Sequence, residues 1–130
     1  VKSIDFGAFS SCHSLTDVTI GKNIEKIGFF AFDNCINLKT INIPQGINRI
    51  ESNTFNSCEK LNNISIPTSV TYLDENAFGF CYNLTINYAG TESQWNAISK
   101  SKLWNQFANK ITIKFSDNTT ITIPEGPKEQ

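Results

Sequence analysis

The chain has 130 residues, with 11 Lys and Arg against 12 Asp and Glu and a formal net charge of −1. Near-balanced charge without a Lys/Arg run excludes the electrostatic footprint of a nucleic-acid or acidic-membrane binder. The length suits one domain with an appreciable core. No apolar run is long enough to span a bilayer, and the first ten residues lack the charged flank, apolar stretch and cleavage site of a secretory signal.

The first residues already belong to a pattern. Cys12, Cys35, Cys58 and Cys81 stand 23 residues apart, with Phe9, Phe32, Phe55 and Phe78 three before and Leu15, Leu38, Leu61 and Leu84 three after. A fixed period in this range is the signature of a stacked solenoid. Ile4 aligns with Ile27, so the chain opens inside a repeat. Because solenoid repeats bury their faces only against neighbours and end in polar caps, the expectation is an N-terminally truncated piece of a longer protein. The absence of a signal sequence then says nothing of localisation.

Within each repeat, Leu-x-x-Ile-x-Ile (Leu38, Ile41, Ile43) alternates as a strand does. Gly21, Pro44 or Pro67 ends that strand and turns the chain. A second short extended piece follows, with Ile24 and Ile27, Ile47 and Ile50, or Val70 and Leu73 facing inward. Ala31, Phe32, Cys35 and Leu38 then fall at the spacing of one helical or 3₁₀ turn. Successive coils should stack about 4.8 Å apart through parallel strands.

These residues resemble the BspA-like (Treponema-type) leucine-rich repeat. Its frame reads here Ile43-Pro44, Ile47, Ile50, Thr54-Phe55, Cys58, Leu61, Ile64, Ile66-Pro67, and the resemblance covers about residues 1–88. Thr54 for Ala, Gly21 for Pro and a fourth repeat one residue short before Ile86 are the departures. The resemblance implies a β-rich α/β repeat, a leucine-rich-repeat solenoid of about four 23-residue coils. It also implies bacterial surface or secreted proteins, often adhesins of host-associated bacteria, with relatives in some protozoan parasites.

After Tyr88 the period stops. Thr91 and Gln94 are spaced as a capping box opening a helix, Trp95 and Ile98 share a face, and Leu103, Trp104 and Phe107 extend the apolar content. Ser99–Ser101 is expected to divide this stretch into two short helices. Ile111-Thr-Ile113-Lys-Phe115 and Thr120-Ile121-Thr-Ile123 alternate on either side of a turn, which reads as a β-hairpin. Residues 89–124 are therefore read as a helix-plus-hairpin C-terminal cap over Leu84 and Ile86, and 125–130 as tail or linker. The Gly-Thr-x-x-Gln-Trp-x-x-Ile stretch resembles the segment that often ends arrays of the family. A rival reading starts a new repeat at Ile121, since Ile121-Thr-Ile123-Pro124 echoes Ile41-Asn-Ile43-Pro44, but no Phe-x-x-Cys-x-x-Leu precedes it in register.

Four Cys admit metal, disulfide or buried-thiol readings. A constant spacing lines them up along the stack instead of converging four thiolates on one point. Parallel side chains hold the sulfurs near the coil spacing, far beyond a bond of about 2.05 Å. The favoured reading for Cys12, Cys35, Cys58 and Cys81 is a structural ladder, each S–H donating weakly to a nearby carbonyl. His13 is the single His and occupies a variable surface slot. No paired carboxylates, phosphate loop or nucleophile–base pair emerges, so no catalytic, cofactor or metal residues are assigned.

Two candidate contact surfaces remain. Residues beside the buried Ile form outward columns: Asp17, Thr40, Asn63 and Thr85, then Thr19, Asn42, Ser65 and Asn87. They are small and polar and lack the Tyr, Trp and Arg that anchor tight interfaces. Phe29 and Phe30, with Phe6, either fold between coils or form an exposed apolar patch. The expectation is a non-catalytic adhesion module contacting a host or bacterial surface protein. A structural spacer or a carbohydrate-binding module are the alternatives, with neither nucleic acid nor direct membrane insertion, and with the oligomeric state open.

Overall fold

The computed structural model describes residues 2–128. In chain order the strands are β1 (Ser3–Ile4), β2 (Asp17–Val18), β3 (Lys26–Ile27), β4 (Thr40–Asn42), β5 (Arg49–Ile50), β6 (Asn63–Ile66), β7 (Tyr72–Leu73) and β8 (Asn83–Tyr88). Helix α1 (Glu92–Asn96), β9 (Ser99–Lys100), β10 (Lys110–Lys114) and β11 (Thr120–Ile123) complete the chain. The front is a 6-stranded sheet in the order β11-β10-β8-β6-β4-β2, parallel except for β11. The back consists of the pair β1-β3 and the trio β5-β7-β9.

Alternation explains the core. Ile41, Ile43, Ile64, Ile66, Leu84 and Ile86 point inward from the front strands and meet Ile27, Ile47, Ile50, Val70 and Leu73 from the back, all buried. Each such side chain contributes about 1.5–3 kcal/mol when taken fully out of water. Pro44 and Pro67 are themselves buried at the strand ends, where a residue without an N–H stops the ladder and turns the chain.

The turn between back and front carries the constant spacing into an aromatic stack. Phe9, Phe32, Phe55 and Phe78 lie ring on ring at 5.3, 5.6 and 5.6 Å. Trp104 meets Phe78 edge-on at 6.2 Å, Trp95 meets Trp104 at 6.0 Å and Tyr88 meets Trp95 at 5.5 Å. Twice per coil the backbone passes through the left-handed region, at Gly7, Phe30, Asn53 and Asn76 and again at Ser11, Asn34, Ser57 and Phe80. Gly and Asn suit that conformation; Phe30, at φ +61°, carries a bulky ring where it is sterically disfavoured.

The solenoid has about five stacked coils where about four were expected, because a fifth coil is stacked on the fourth within the segment read as the cap. β9 pairs with β7 and β10 pairs with β8, both in parallel. Between them, Asn76, Phe78 and Phe80 donate their N–H groups to the carbonyls of Leu103, Trp104 and Gln106 at 2.9 Å. The same pattern joins the earlier coils, for instance Asn53 to Glu75 and Phe55 to Ala77 at 3.1 Å. The segment 101–108 is accordingly a repeat turn and not the second helix anticipated there. Helix α1 is present with its capping box, Thr91 accepting from the Gln94 N–H and Gln94 Oε1 accepting from the Thr91 N–H. It replaces the tight Gly or Pro turn of the earlier coils, and the hairpin of β10 and β11 forms as expected.

The end of the stack is closed by polar chemistry. Lys100 falls in the inward column after Ile50 and Leu73, and its ammonium donates to the carbonyls of Trp95 and Ile98 at 3.1 and 3.0 Å. Those oxygens lie at the C-terminal end of α1, where a cation is favoured. The ammonium also lies 4.9 Å from the Trp95 ring centroid, and burial lowers its pKa from the ordinary 10.5. Residues 125–128 do not run free as the tail reading has it. Gly126 is buried and donates to the Ala108 carbonyl at 3.0 Å, while Phe107 donates to the Pro127 carbonyl at 2.8 Å. A Cβ at Gly126 would strike the Asn105 backbone. Residues 129 and 130 of that segment lie outside the described residues.

Candidate interaction surface

The 23-residue spacing brings the cysteines into line at the edge of the core. Cys35 donates its S–H to the Phe9 carbonyl at 3.1 Å, Cys58 to Phe32 at 3.2 Å and Cys81 to Phe55 at 3.4 Å. All four thiols are free; Cys35, Cys58 and Cys81 are buried and Cys12 is partly so. Burial pushes the Cys35, Cys58 and Cys81 thiols above their ordinary pKa, and for Cys58 the neighbouring Cys81 and Cys35 push the same way. A thiol so held is a poor nucleophile. Among the described residues no His/Cys/Asp/Glu group could hold a metal ion, and His13 is exposed.

On the front sheet, strand pairing fixes the outward columns. Asp17 pairs with Thr40, Thr40 with Asn63 and Asn63 with Thr85, while Asn42 pairs with Ser65 and Ser65 with Asn87. The shortened fourth repeat is visible in the register, since Ile64 meets Ile86 whereas Leu61 and Leu84 keep the full spacing. The fifth coil adds two residues not anticipated, Thr112 opposite Thr85 and Lys114 opposite Asn87. Their signal is Ile111-Thr112-Ile113-Lys114, the same alternation as Ile41-Asn42-Ile43.

Several of these side chains are engaged with one another. Thr40 Oγ1 donates to Asp17 at 2.6 Å and Asn87 Nδ2 donates to Asn63 at 3.2 Å. The Asn42 amide accepts from the Ile20 N–H at 2.8 Å and donates to the Ile20 carbonyl at 3.1 Å, replacing a strand pair beyond Val18. Asp17, Thr19, Asn63, Ser65 and Lys114 are exposed, and Thr40, Asn42, Thr85, Asn87 and Thr112 half-buried. Two shallow depressions mark the face. One of about 290 Å³ lies over Thr19, Thr40, Asn42, Asn63 and Ser65. The other, of about 420 Å³, lies between Ser65, Asn87, Lys114 and Asn118 above Pro67 and Tyr88.

The two phenylalanines part company. Phe29 is 44% exposed, in the same column as Phe6 at 71%, while the half-buried Phe30 packs its ring 5.4 Å from that of Phe6. Other coils place Ser52 and Glu75 in the Phe29 column. Phe80, in the left-handed slot beside the Cys turn, stacks on Phe107 at 4.7 Å.

A family model described as the BspA type leucine rich repeat region matches residues 2–125 in 6 copies. A crystal structure of a leucine rich cell surface protein from Faecalibacterium prausnitzii A2-165 is 39% identical and aligns with a TM-score of 0.60, over 76% of this chain and 32% of that one. A leucine-rich repeat protein from Bacteroides ovatus ATCC 8483 aligns with a TM-score of 0.66 at 24% identity, over 88% of this chain and 31% of its own, a likeness that speaks for the fold alone. The chain thus spans about a third of the length of either solved relative. Among curated proteins none matches. No described helix is long and apolar enough to cross a membrane.

Proposed function

The chain belongs to the BspA-type leucine-rich repeat family, and from that premise we propose that it is a non-catalytic binding module of a bacterial surface protein, using its front sheet to adhere to a protein on a host or neighbouring cell. The observation that carries this reading is the register of the outward columns. Five parallel strands present Asp17, Thr40, Asn63, Thr85 and Thr112 side by side, with Asn42, Ser65, Asn87 and Lys114 alongside. Such a face offers many small hydrogen-bonding groups on a rigid support. Affinity then comes from summed weak contacts, and from repetition along a longer array. The surface-protein name of the Faecalibacterium relative supports display outside the cell.

A second reading, the spacer, is favoured by one specific feature. Thr40, Asn42 and Asn87 already spend hydrogen bonds within the sheet, as a merely solvated face would. The two readings separate on a triple variant, Thr19→Arg, Asn63→Arg and Ser65→Arg, at exposed positions. Cells or beads displaying the module should lose adherence to a host-cell panel while the purified variant keeps its melting temperature. Undiminished adherence would leave the spacer.

A further inference from the structure

On the back, the ladder joining each coil to the next is broken once. Glu25 and Gly28 donate to the Lys2 and Ile4 carbonyls at 2.7 Å. Thr71 and Asp74 donate to Asn48 and Ile50 at 2.8 and 3.0 Å, and Ser99 and Ser101 donate to Thr71 and Leu73 at 3.0 and 2.9 Å. The corresponding bonds from Asn48 and Glu51 to Glu25 and Ile27 are not formed among the described residues, and β3 and β5 lie in separate sheets. Two adjoining hollows, of about 740 and 280 Å³, open at this seam and share Glu25 and Asn48 in their walls.

The seam gathers cations that lie far apart in the chain. Lys2, Lys22, Lys26 and Arg49 border it, against the carboxylates of Glu25 and Glu51. Glu51 is paired with Arg49 at 3.2 Å, and no carboxylate lies within ion-pair distance of the three lysines among the described residues. Four cations against two carboxylates leave two positive charges at a hollow bordered also by Asn48 and Glu51, whose backbone N–H groups meet no backbone acceptor among the described residues. Arg49 is already engaged by Glu51 and the Tyr72 ring, 4.5 Å from its guanidinium, which leaves the three lysines as the cations that can attract an anion to this concave surface.

We infer that this cleft binds an anionic saccharide, a sugar unit bearing sulfate or carboxylate. The amides of Asn23, Gln45 and Asn48 supply donors and acceptors for ring hydroxyls, while lysine ammonium groups and the backbone N–H groups of Asn48 and Glu51 take the anionic substituent. An inserted peptide strand is disfavoured, because coils on either side of the seam stay tied. Phe30 and Phe32 donate to Ser52 and Thr54 at 3.2 and 3.0 Å, and β2 pairs with β4. Ile27 and Ile47 at the floor are buried, so an acidic peptide finds no apolar anchor. The cleft lies on the back of the stack, and the inference stands apart from the front-sheet proposal.

The test is calorimetric titration of the chain with a chondroitin sulfate hexasaccharide, a neutral N-acetylglucosamine hexasaccharide and poly-L-glutamate, alongside backbone amide NMR. The sulfated sugar should bind, weaken as salt is added, and shift the amides of Asn48 and Glu51. Lys22→Glu with Lys26→Glu, at exposed positions, should weaken it by at least about tenfold without changing the melting temperature. The neutral pair Lys22→Gln and Lys26→Gln should weaken it less. Absent binding, equal or tighter binding of polyglutamate, or undiminished binding by the charge-reversed variant would each overturn the inference.

Discussion

The second to fourth coils and the fifth do the same structural work with different residues. In the former, a stacked Phe, a buried thiol and an inward Ile or Leu recur at constant spacing; Phe55, Cys58, Leu61 and Leu73 are 0–1% exposed. In the latter, Trp104 sits edge-on where a Phe would stack, and Lys100 stands where Leu73 stands. Counting back three residues from the paired Leu84 and Ile111 sets Ala108 against Cys81. The difference teaches that an interior coil must present two identical apolar faces, whereas a closing coil needs one apolar face and one that tolerates water. Trp104 covers the last Phe ring with Trp95 packed on it in turn, and the ammonium of Lys100 makes the outer edge polar.

The largest effect expected is at the spine. Phe55→Ala should cost about 3–5 kcal/mol, since it empties a fully enclosed ring site, and Trp104→Ala should fall in the same range of about 3–5 kcal/mol. Denaturant unfolding of both variants checks this. A Trp104 variant as stable as the parent would make the fifth coil an appendage.

The next effect is alkaline and belongs to the interior coils alone. Because burial raises the Cys58 and Cys81 thiols above the ordinary 9.0, the folded state holds these protons more tightly than the unfolded one. Their stability is therefore full below pH 9 and lost as pH rises toward the folded values, by about 1.4 kcal/mol per pH unit for each thiol. Cys58→Ala with Cys81→Ala, copying Ala108, should flatten the stability profile above pH 9, measured by urea titrations across that range. An unchanged slope would mean the thiols are accessible.

A smaller effect tests the equivalence of the coils at their front-to-back turn. Gly21 stands where Pro44 and Pro67 stand, with open space where a Cβ would be and no positive φ. Gly21→Pro should stabilise by about 0.4–1 kcal/mol through the unfolded chain, seen as a raised melting temperature. A lowered one would mean that this turn differs from the others.

Much of the interior was legible because a strict period fixes register, and register fixes which face each residue takes. The outward columns from Asp17 to Thr85 and the slip before Ile86 both follow from counting. The fifth coil was hidden for physical reasons. Helix α1 replaces a tight turn and stretches the spacing, the Leu84–Ile111 pair being 27 residues apart. At the same time Ala108 removes the Cys that marks the frame, and Lys100 removes an apolar landmark. Phe29 and Phe30 were legible as anomalies but not as a divided pair, since the left-handed backbone at Phe30 sends neighbouring rings in different directions. The cationic cleft was illegible because Lys2, Lys22, Lys26 and Arg49 meet only once the coils are stacked.

Amide hydrogen exchange resolved by residue tests most directly whether the five coils are one continuous body. The amides of β10 should exchange as slowly as those of β6 and β8 and open with them in one cooperative step. Fast exchange across Ser99–Lys114, in an opening that leaves β6 and β8 protected, would contradict the account.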